Sequence, residues 1–575
     1  MSLWSNVQPS LLLILILVAA TQAANAQTRD NRGTEFWVAF MANNGSGDAD
    51  ETSQMELYIS CEHPTNVAIT YHRNGRTVRV PIPQADRSVV VDISAMFGTN
   101  VELASAAADS VSRKTLKVVA DDEISLYGSN VRIKSADAFM SLPTDVLGGS
   151  YIVLAYPNGY INVGWDRGDD MPSEFAVIAT KNGTTVTIQS PAAINGRPAN
   201  QAFSVRLDSG QAYFAQASLD GGQDVSGTTI SADKPVALYS GAKRVSIPRT
   251  VGNNRDHLVE QLPPLQTWGK EALLTPHFAI APGARYNAVA RVIAANDSTT
   301  WTLDGAEQPM LSARKPVEIP LTQAQHIVAS GPILVAQYEH SSNPESQLLG
   351  DPFMMLIPPP EQFDSIYSFQ CVANDEFMAH YANVVIPSNA TSSLRIDGAT
   401  VPATFRTISG TRFSYAQIPL AAGAHFARAD STFGLYVYGY GVANSYGYPG
   451  GMLLKDLTQP PPAVDSLRWA DNCGNQLIFQ SGGMARRNNM MAPFPNPNPG
   501  TSATLYVGLS SDQLVTVVVS DPFGNVRLRP FDNLPMRGGV GQLQLRLDEL
   551  PQGEYFVQLR TSSGDVLTQK LLIAR

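Results

Sequence analysis

The loop at 165–174, WDRGDDMPSE, holds the densest group of side chains that could bind a cation. It carries Asp166, Asp169, Asp170 and Glu174 within a short stretch. Carboxylate oxygens are the hard ligands that Ca²⁺ prefers in proteins. The spacing predicts a Ca²⁺ site, with a solvated loop between two strands as the alternative.

A run of tyrosines and glycines at 436–451, YVYGYGVANSYGYPGG, is the second candidate site. Tyrosine offers a large contact area with a polar tip, which suits binding surfaces. Alternate tyrosines at 436–440 could instead line one face of a strand. Tyr446 and Tyr448 stand beside Pro-Gly-Gly. We therefore predict that these two are an exposed, ligand-binding pair.

Catalytic motifs are not found in the sequence. There is no H-E-x-x-H, G-x-S-x-G, Walker loop or C-x-x-C, and the eight histidines are scattered. Cys61, Cys371 and Cys473 are too few and too far apart for a disulfide framework or a zinc site. We predict no catalytic residue, no cofactor beyond the possible Ca²⁺, and no enzymatic activity. A secreted hydrolase acting on polysaccharide or protein is the alternative, because paired carboxylates need not be close in sequence.

Composition limits the class of partner. The chain has 575 residues, 16% of them charged, and a net charge of −10. Nucleic-acid binding needs clustered Lys and Arg, and no such run appears. We therefore predict that the chain does not bind nucleic acid.

The elements that must position these residues are strands. MELYIS at 55–60 and LQLRLDEL at 543–550 alternate apolar and polar residues, and Asn-Gly and Asp-Gly turn signals separate such runs. Alternation of this kind is typical of strands with one buried face. We predict an all-β fold of tandem sandwich-like units followed by a small C-terminal β-sandwich. A propeller-like ring is the alternative.

Related segments recur at a domain-sized period. ADDEISLYGSN (120–130), ADKPVALYSGA (232–242), SGPILVAQYEH (330–340) and DSTFGLYVYGY (430–440) share a polar turn and an apolar strand that contains an aromatic residue. The repeat predicts four β units, at 27–141, 142–261, 262–356 and 357–456. A linker at 457–491 and a C-terminal domain at 492–575 would follow.

The N-terminus has the pattern of a signal peptide. LLLILILVAA at 11–20 is an apolar run without charge. The small residues Ala24 and Ala26 follow it, directly before Gln27. The run is short for a membrane span. We predict a signal peptide at 1–26 cleaved between Ala26 and Gln27, with an N-terminal membrane anchor as the alternative.

The last 75 residues, 501–575, follow a proline-rich stretch, PFPNPNPG at 493–500. Proline at every second position prevents both helix and central strand, so we interpret this stretch as a stiff spacer. The tail resembles the C-terminal sorting domain of type IX secretion cargo. The residues that carry the resemblance are Pro495, Asn496, Pro497, Gly500, Gly553, Tyr555 and Lys570. It implies that the type IX secretion machinery is a partner and that the protein is secreted or lies on the outer surface of a Gram-negative bacterium.

The body at 31–451 resembles the IgGFc-binding protein N-terminal domain family. The resemblance is carried by GTEFWVAFMANN (33–44), ISLYGSN (124–130) and DAFMSLPTDVLGGSYIVLAY (137–156). It implies an extracellular binding or adhesion role, with an unidentified protein or glycan as ligand. Loops tolerate variation and carry recognition, whereas sheet faces are committed to cores. We therefore expect ligand contact at the ends of the units, through 165–174 and 443–451.

Overall fold

The computed structural model divides the chain into two compact units. One is Arg29–Thr458, which we call the body, and the other includes Gln459–Arg575, which we call the C-terminal module. The residues that the structure describes are 30–43, 53–83, 88–103, 111–158, 171–219, 222–249, 254–278, 288–342, 349–458, 469–470, 476–479, 489–490, 493, 498, 502–509, 513–536 and 539–574.

Strands dominate both units, which confirms the predicted all-β fold. Among the described residues, the single α-helix is α1, Ile93–Phe97, which Asp92 caps by accepting a hydrogen bond from the Ala95 N–H. Short 3₁₀ helices span Thr99–Val101, Thr144–Val146, Leu265–Thr267, Pro360–Gln362 and Thr391–Ser393.

The strands of the body fall into four consecutive units. The first contains β1 Arg32–Val38, β2 Gln54–Cys61, β3 Thr65–Tyr71, β4 Arg76–Ile82, β5 Ser88–Asp92, β6 Val111–Ser112, β7 Leu116–Arg132 and β8 Ser135–Ser141. The second contains β9 Gly148–Ile152, β10 Ser173–Ala179, β11 Thr184–Gln189, β12 Phe203–Leu207, β13 Ala212–Gln216, β14 Thr229–Val245 and β15 Asp256–Gln261. β6 pairs with β13 and so joins the sheet of the second unit.

The third and fourth units repeat this order. The third contains β16 Glu271–Leu274, β17 Ala288–Ala294, β18 Trp301–Leu303, β19 Ala306–Glu307, β20 Val317–Leu321, β21 Gln325–Ala329, β22 Ile333–Glu339 and β23 Met354–Leu356. The fourth contains β24 Asp364–Cys371, β25 Ala379–Pro387, β26 Arg395–Ile396, β27 Ala399–Thr400, β28 Arg406–Thr407, β29 Phe413–Leu420, β30 Gly423–Gly441 and β31 Asn444–Pro449.

One long strand joins the two layers of a unit. The first half of β30 pairs with β24 and β26, and its second half pairs with β25 and β31. β7 and β14 are arranged in the same way. In the third unit the equivalent stretch is split into β21 and β22 by Gly331-Pro332, since proline cannot donate to the ladder. Each repeated segment of the sequence contributes to this strand.

The inner layer of a unit is buried on both faces. In β10, Phe175 and Val177 face the core shared by the second and third units, whereas Ala176 and Ile178 face a core shared with the first unit. This explains the uninterrupted apolar run at 175–179, because a strand with two buried faces does not alternate.

Shared cores link the four units into a closed ring. One core joins the second unit to the third and another joins the third to the fourth. A further core contains Tyr446 of the fourth unit together with Leu126 of the first. Asp30 also bridges to Leu453, which joins the beginning of the body to its end. The prediction of tandem sandwich-like units is therefore confirmed, and their shared cores bring the fourth unit back against the first.

The C-terminal module consists of two antiparallel sheets around one apolar core. Its strands are β32 Trp469–Ala470, β33 Gln476–Phe479, β34 Asn489–Met490, β35 Ser502–Leu509, β36 Gln513–Ser520, β37 Val526–Met536, β38 Gly539–Arg546, β39 Gly553–Thr561 and β40 Val566–Ile573. β32 to β34 lie within the segment interpreted as a linker, yet β33 pairs with β38 and β34 with β35. These strands are too short to show alternation in the sequence.

The proline-rich stretch contributes directly to this module. Asn498 is fully buried, and its N–H donates to the Leu572 carbonyl oxygen at 2.7 Å. The Ala574 N–H in turn donates to the Asn498 carbonyl oxygen at 2.9 Å. Interpreting the whole stretch as a spacer was therefore wrong at Asn498, which keeps the backbone N–H that the alternate prolines lack.

Candidate functional site

The innermost strands of the four units, β8, β15, β23 and β31, pack against one another at the centre of the body. One carboxylate there bonds to the backbone of all four. Asp137 Oδ1 accepts from the N–H groups of Ala138 at 2.8 Å and Gly447 at 3.2 Å, and Oδ2 accepts from Val259 at 3.0 Å and Met354 at 3.1 Å. Buried backbone donors need acceptors, and Asp137 supplies them where no further strand can pair.

Other buried carboxyls repeat this arrangement. Asp256 accepts from the N–H groups of Ala136 and Ser445, the latter at 3.0 Å, and Glu260 accepts from the Leu356 N–H at 3.1 Å. Burial raises the pKa of Asp256 and of Glu260 well above the ordinary range, although the N–H donors oppose this effect. These carboxyls are enclosed and engaged with backbone groups, so they hold the units together and do not face an open site.

Tyr446 and Tyr448 are core residues, and the prediction of an exposed pair is wrong. Their exposed fractions are 0% and 1%, and both lie in β31. Tyr446 Oη accepts from the Val372 N–H at 3.1 Å, and the Tyr448 ring packs 5.0 Å from that of Tyr127 in the first unit. They join the fourth unit to the first.

The glycines around the tyrosines explain the error. They suggested a flexible loop, yet a Cβ added at Gly447 would fall 2.2 Å from the Phe353 ring, and one at Gly439 would fall 2.3 Å from the Tyr446 ring. Glycine is required here because aromatic rings pack directly on the backbone.

The predicted Ca²⁺ ligands are only partly described. Asp166, Asp169 and Asp170 lie outside the described residues. Glu174 is not in a solvated loop, since it is the second residue of β10 and is fully buried, and the Gln216 side-chain amide donates to its Oε2 at 2.7 Å. Burial raises its pKa well above the ordinary value. Across the described residues, no group of three or more His, Cys, Asp or Glu side chains could hold a metal ion.

The described parts of the four connections that lead into the innermost strands lie at one end of the ring, which we call the tip face. Hydrogen bonds link neighbouring turns all the way round. Arg244 Nη2 donates to the Lys134 carbonyl oxygen at 2.9 Å, and Asn444 Nδ2 donates to the Arg132 carbonyl oxygen at 3.2 Å. Asn254 Nδ2 donates to Ser342 Oγ at 2.8 Å, and the Gly350 N–H donates to the Gly441 carbonyl oxygen at 2.8 Å.

The tip face presents apolar side chains to solvent. Ile133 and Val442 stand in two neighbouring turns and are 53% and 59% exposed. Met378, whose N–H donates to the Tyr440 carbonyl oxygen near the same turn, is 66% exposed. Apolar residues exposed beside hydrogen-bonded turns are typical of a contact surface. We take the tip face as the candidate functional site.

The residues predicted for export are described in part. Ala26, Gln27, Pro495, Asn496, Pro497 and Gly500 lie outside the described residues. Tyr555 in β39 is buried and donates its hydroxyl hydrogen to the Pro551 carbonyl oxygen at 3.0 Å. Gly553 begins the same strand, and Lys570 in β40 pairs with Glu554 at 2.7 Å. No helix among the described residues is long and apolar enough to cross a membrane.

These features define a closed ring of β-sandwich units. The chain belongs to the IgGFc binding protein family, whose model matches residues 137–439. This confirms the predicted resemblance over that range, which begins at the central Asp137. The chain is 26% identical over 445 residues to the IgGFc-binding protein of Homo sapiens. The match covers 75% of this chain but 8% of that protein, so the chain spans a small part of its relative.

Comparisons with solved structures add little. A tetra-tandem repeat from the extending region of a large adhesion protein is 10% identical, with 78% of this chain and 94% of that chain covered and a TM-score of 0.11. The native form of the E. coli alpha-2-macroglobulin is 9% identical, with 90% and 35% covered and a TM-score of 0.12. Scores this low carry no argument about the ring.

Sequence reasoning did not single out Asp137 or the tip residues. A signal for Asp137 exists, because a carboxyl opening the apolar run DAFM is unusual inside a strand. No local signal marks Ile133 and Val442, whose exposure depends on four turns that are distant in sequence.

Proposed function

We propose that the protein is an extracellular, non-enzymatic binding protein that contacts its ligand through the tip face. The observation that carries the proposal is the convergence of four hydrogen-bonded turns that leave Ile133, Met378 and Val442 exposed. A braced surface loses little conformational entropy on binding. Membership of the IgGFc binding protein family supports a binding role.

The buried carboxyls favour binding over the hydrolase alternative. Asp137, Asp256 and Glu260 are at most 1% exposed and accept hydrogen bonds from backbone N–H groups. A general acid or base must reach a substrate within hydrogen-bond distance. The central carboxyls are enclosed by packed strands and are not placed for this role.

The ligand is an extracellular protein or glycan. The human relative is named for binding the Fc part of IgG, so Fc is the first protein probe. The test measures binding of the full-length protein to immobilised human IgG Fc and to an array of oligosaccharides. The test variant combines Ile133→Ser with Val442→Ser, and the matched control is Met310→Ser, which alters a methionine that is 64% exposed in the third unit.

We expect the double variant to bind the responding probe about tenfold more weakly or worse, because burial of an aliphatic side chain contributes about 1.5–3 kcal/mol and two such side chains are removed. The control should bind as the unaltered protein does. Equal binding by the double variant would reject the tip face as the contact surface. Failure of every probe would reject Fc and the arrayed glycans as ligands, and turnover of the glycans would favour the hydrolase.

Export by type IX secretion completes the proposal. The protein would be directed through the inner membrane by residues 1–26 and through the outer membrane of a Gram-negative bacterium by the C-terminal module. The compact core of the module and the buried Tyr555 support its treatment as a separate folded signal. N-terminal sequencing of exported protein should begin at Gln27. Deletion of 501–575 should retain the protein in the periplasm, and its appearance outside the cell would overturn the sorting role.

A further inference from the structure

Two arginines of the fourth unit face each other across neighbouring strands. In the pairing of β26 with β30, Arg395 lies directly opposite Arg428, and Ile396 lies opposite Ala427. Directly opposite residues of an antiparallel pair project to the same face. Ile396 and Ala427 are buried, so both guanidinium groups are on the outer face. Like charges in this position are destabilising unless an opposite charge lies between them.

The described residues do not supply that opposite charge. Arg395 Nη1 is fixed by donating to the carbonyl oxygens of Ser392 at 2.7 Å and Leu394 at 2.9 Å. For the Arg428 guanidinium, the described part of the chain provides no hydrogen-bond or ion-pair partner. Asp430 follows on the same face of β30, and its backbone N–H donates to Ser393 Oγ at 3.1 Å. Its carboxylate makes no ion pair with either arginine within the described residues.

These side chains line an open pocket. Ser393, Arg395, Arg428, Ala429 and Asp430 line this half-open surface pocket, whose volume is about 330 Å³. That volume lies at the lower end of the range for small-molecule sites and suits one sugar unit. The pocket thus has two guanidinium groups on one side and a carboxylate with a seryl oxygen on the other.

We infer that this pocket binds an acidic sugar through its carboxylate and hydroxyl groups. Guanidinium groups present N–H pairs that match a carboxylate, and Arg428, which has no side-chain partner among the described residues, can make such a contact. The Asp430 carboxylate can accept hydrogen bonds from sugar hydroxyls, which a simple inorganic anion lacks. The inference stands on this geometry alone, so its failure would leave the tip-face proposal unchanged.

The test measures binding of N-acetylneuraminic acid and glucuronic acid to the full-length protein by calorimetry and saturation-transfer NMR. Galactose serves as the neutral sugar and sulfate as the anion without hydroxyl groups. The variants are Arg428→Gln and Asp430→Asn. The matched control is Arg79→Gln, which alters an exposed arginine on β4 of the first unit.

We expect an acidic sugar to bind more tightly than galactose or sulfate. Arg428→Gln should weaken this binding about tenfold or more, since a charged hydrogen bond contributes enough for that change. Asp430→Asn should weaken sugar binding but not sulfate binding, because removal of a negative charge does not disfavour an anion, and Arg79→Gln should alter neither.

Two results would overturn the inference. The first is no saturable binding of either acidic sugar up to about 10 mM, a concentration about ten times a Kd of 1 mM. The second is sulfate binding as tight as sugar binding with no effect of Asp430→Asn, because the pocket would then be a general anion site.

Discussion

Replacing Asp137 by alanine would leave the buried N–H groups of Val259, Met354 and Gly447 without their acceptor. Each unsatisfied buried donor costs about 1–3 kcal/mol, so three cost about 3–9 kcal/mol. Removal of the buried carboxyl offsets part of this cost, because burial disfavours the charged form of Asp137. The same effect raises its pKa well above the ordinary value. We expect the free energy of unfolding of the body to fall by about 3 kcal/mol or more.

Asp137→Asn nearly keeps the volume of the side chain but removes one of its two accepting oxygens. The amide keeps one accepting oxygen but turns an NH₂ group toward two backbone donors, so we expect about half of the alanine effect or more. The matched control is Asp233→Asn. Asp233 is exposed and accepts from the Thr185 N–H at 2.8 Å, so its replacement should cost less than about 1 kcal/mol.

Urea unfolding of the full-length protein measures these changes. The buried Trp37, Trp268 and Trp301 report on the first and third units and on the boundary between the second and third. Both Asp137 variants should have their midpoint of unfolding at a lower urea concentration than the control variant. If the free energies of unfolding of both variants lie within about 0.5 kcal/mol of that of the unaltered protein, Asp137 is not the central acceptor.

Three further changes test the core. Burial raises the pKa of Glu260 well above the ordinary value of a glutamate. The protonated side chain therefore stabilises the fold below that ordinary pKa, and this contribution is lost as pH rises through the folded pKa. The urea midpoint of Glu260→Gln should therefore fall less between about pH 5 and 9 than that of the unaltered protein, and equal slopes would contradict this. Tyr448→Ala should lower the free energy of unfolding of the body by about 3–5 kcal/mol in the same assay. A decrease below about 1 kcal/mol would show that Tyr448 is not a core residue. Gly447→Ala should lower the thermal midpoint, because the added Cβ meets the Phe353 ring at 2.2 Å, and an unchanged midpoint would show that the ring can move away.

Local pattern was sufficient to predict the longer strands and the repeats. In β11, Thr184, Val186 and Ile188 are buried while Thr185 and Thr187 are exposed, as alternation requires. The same reasoning failed for Tyr446 and Tyr448, because all six residues of β31 are buried. A strand that separates two cores carries no alternation, so its sequence cannot show which residues reach solvent.

Long-range placement was beyond the sequence for a different reason. Asp137 binds N–H groups 122, 217 and 310 residues away. The pairing of Arg395 with Arg428 likewise depends on the register of β26 against β30. Register follows from packing of the whole unit, and a shift of one residue would turn one of these side chains toward the core.

Closure of the ring accounts for where recognition can occur. Each innermost strand is an edge strand with N–H groups that its own sheet cannot pair, and unpaired edges invite association with other chains. Bringing the four edges together buries them, and Asp137, Asp256 and Glu260 then supply the acceptors. The centre is thereby committed to stability, since changing one acceptor affects several units at once. Among the described residues, the turns of the tip face and outer sheets such as that of β26 are where the proposed ligand contacts could vary without that cost. Substitutions that alter binding without altering unfolding should therefore map to these two places.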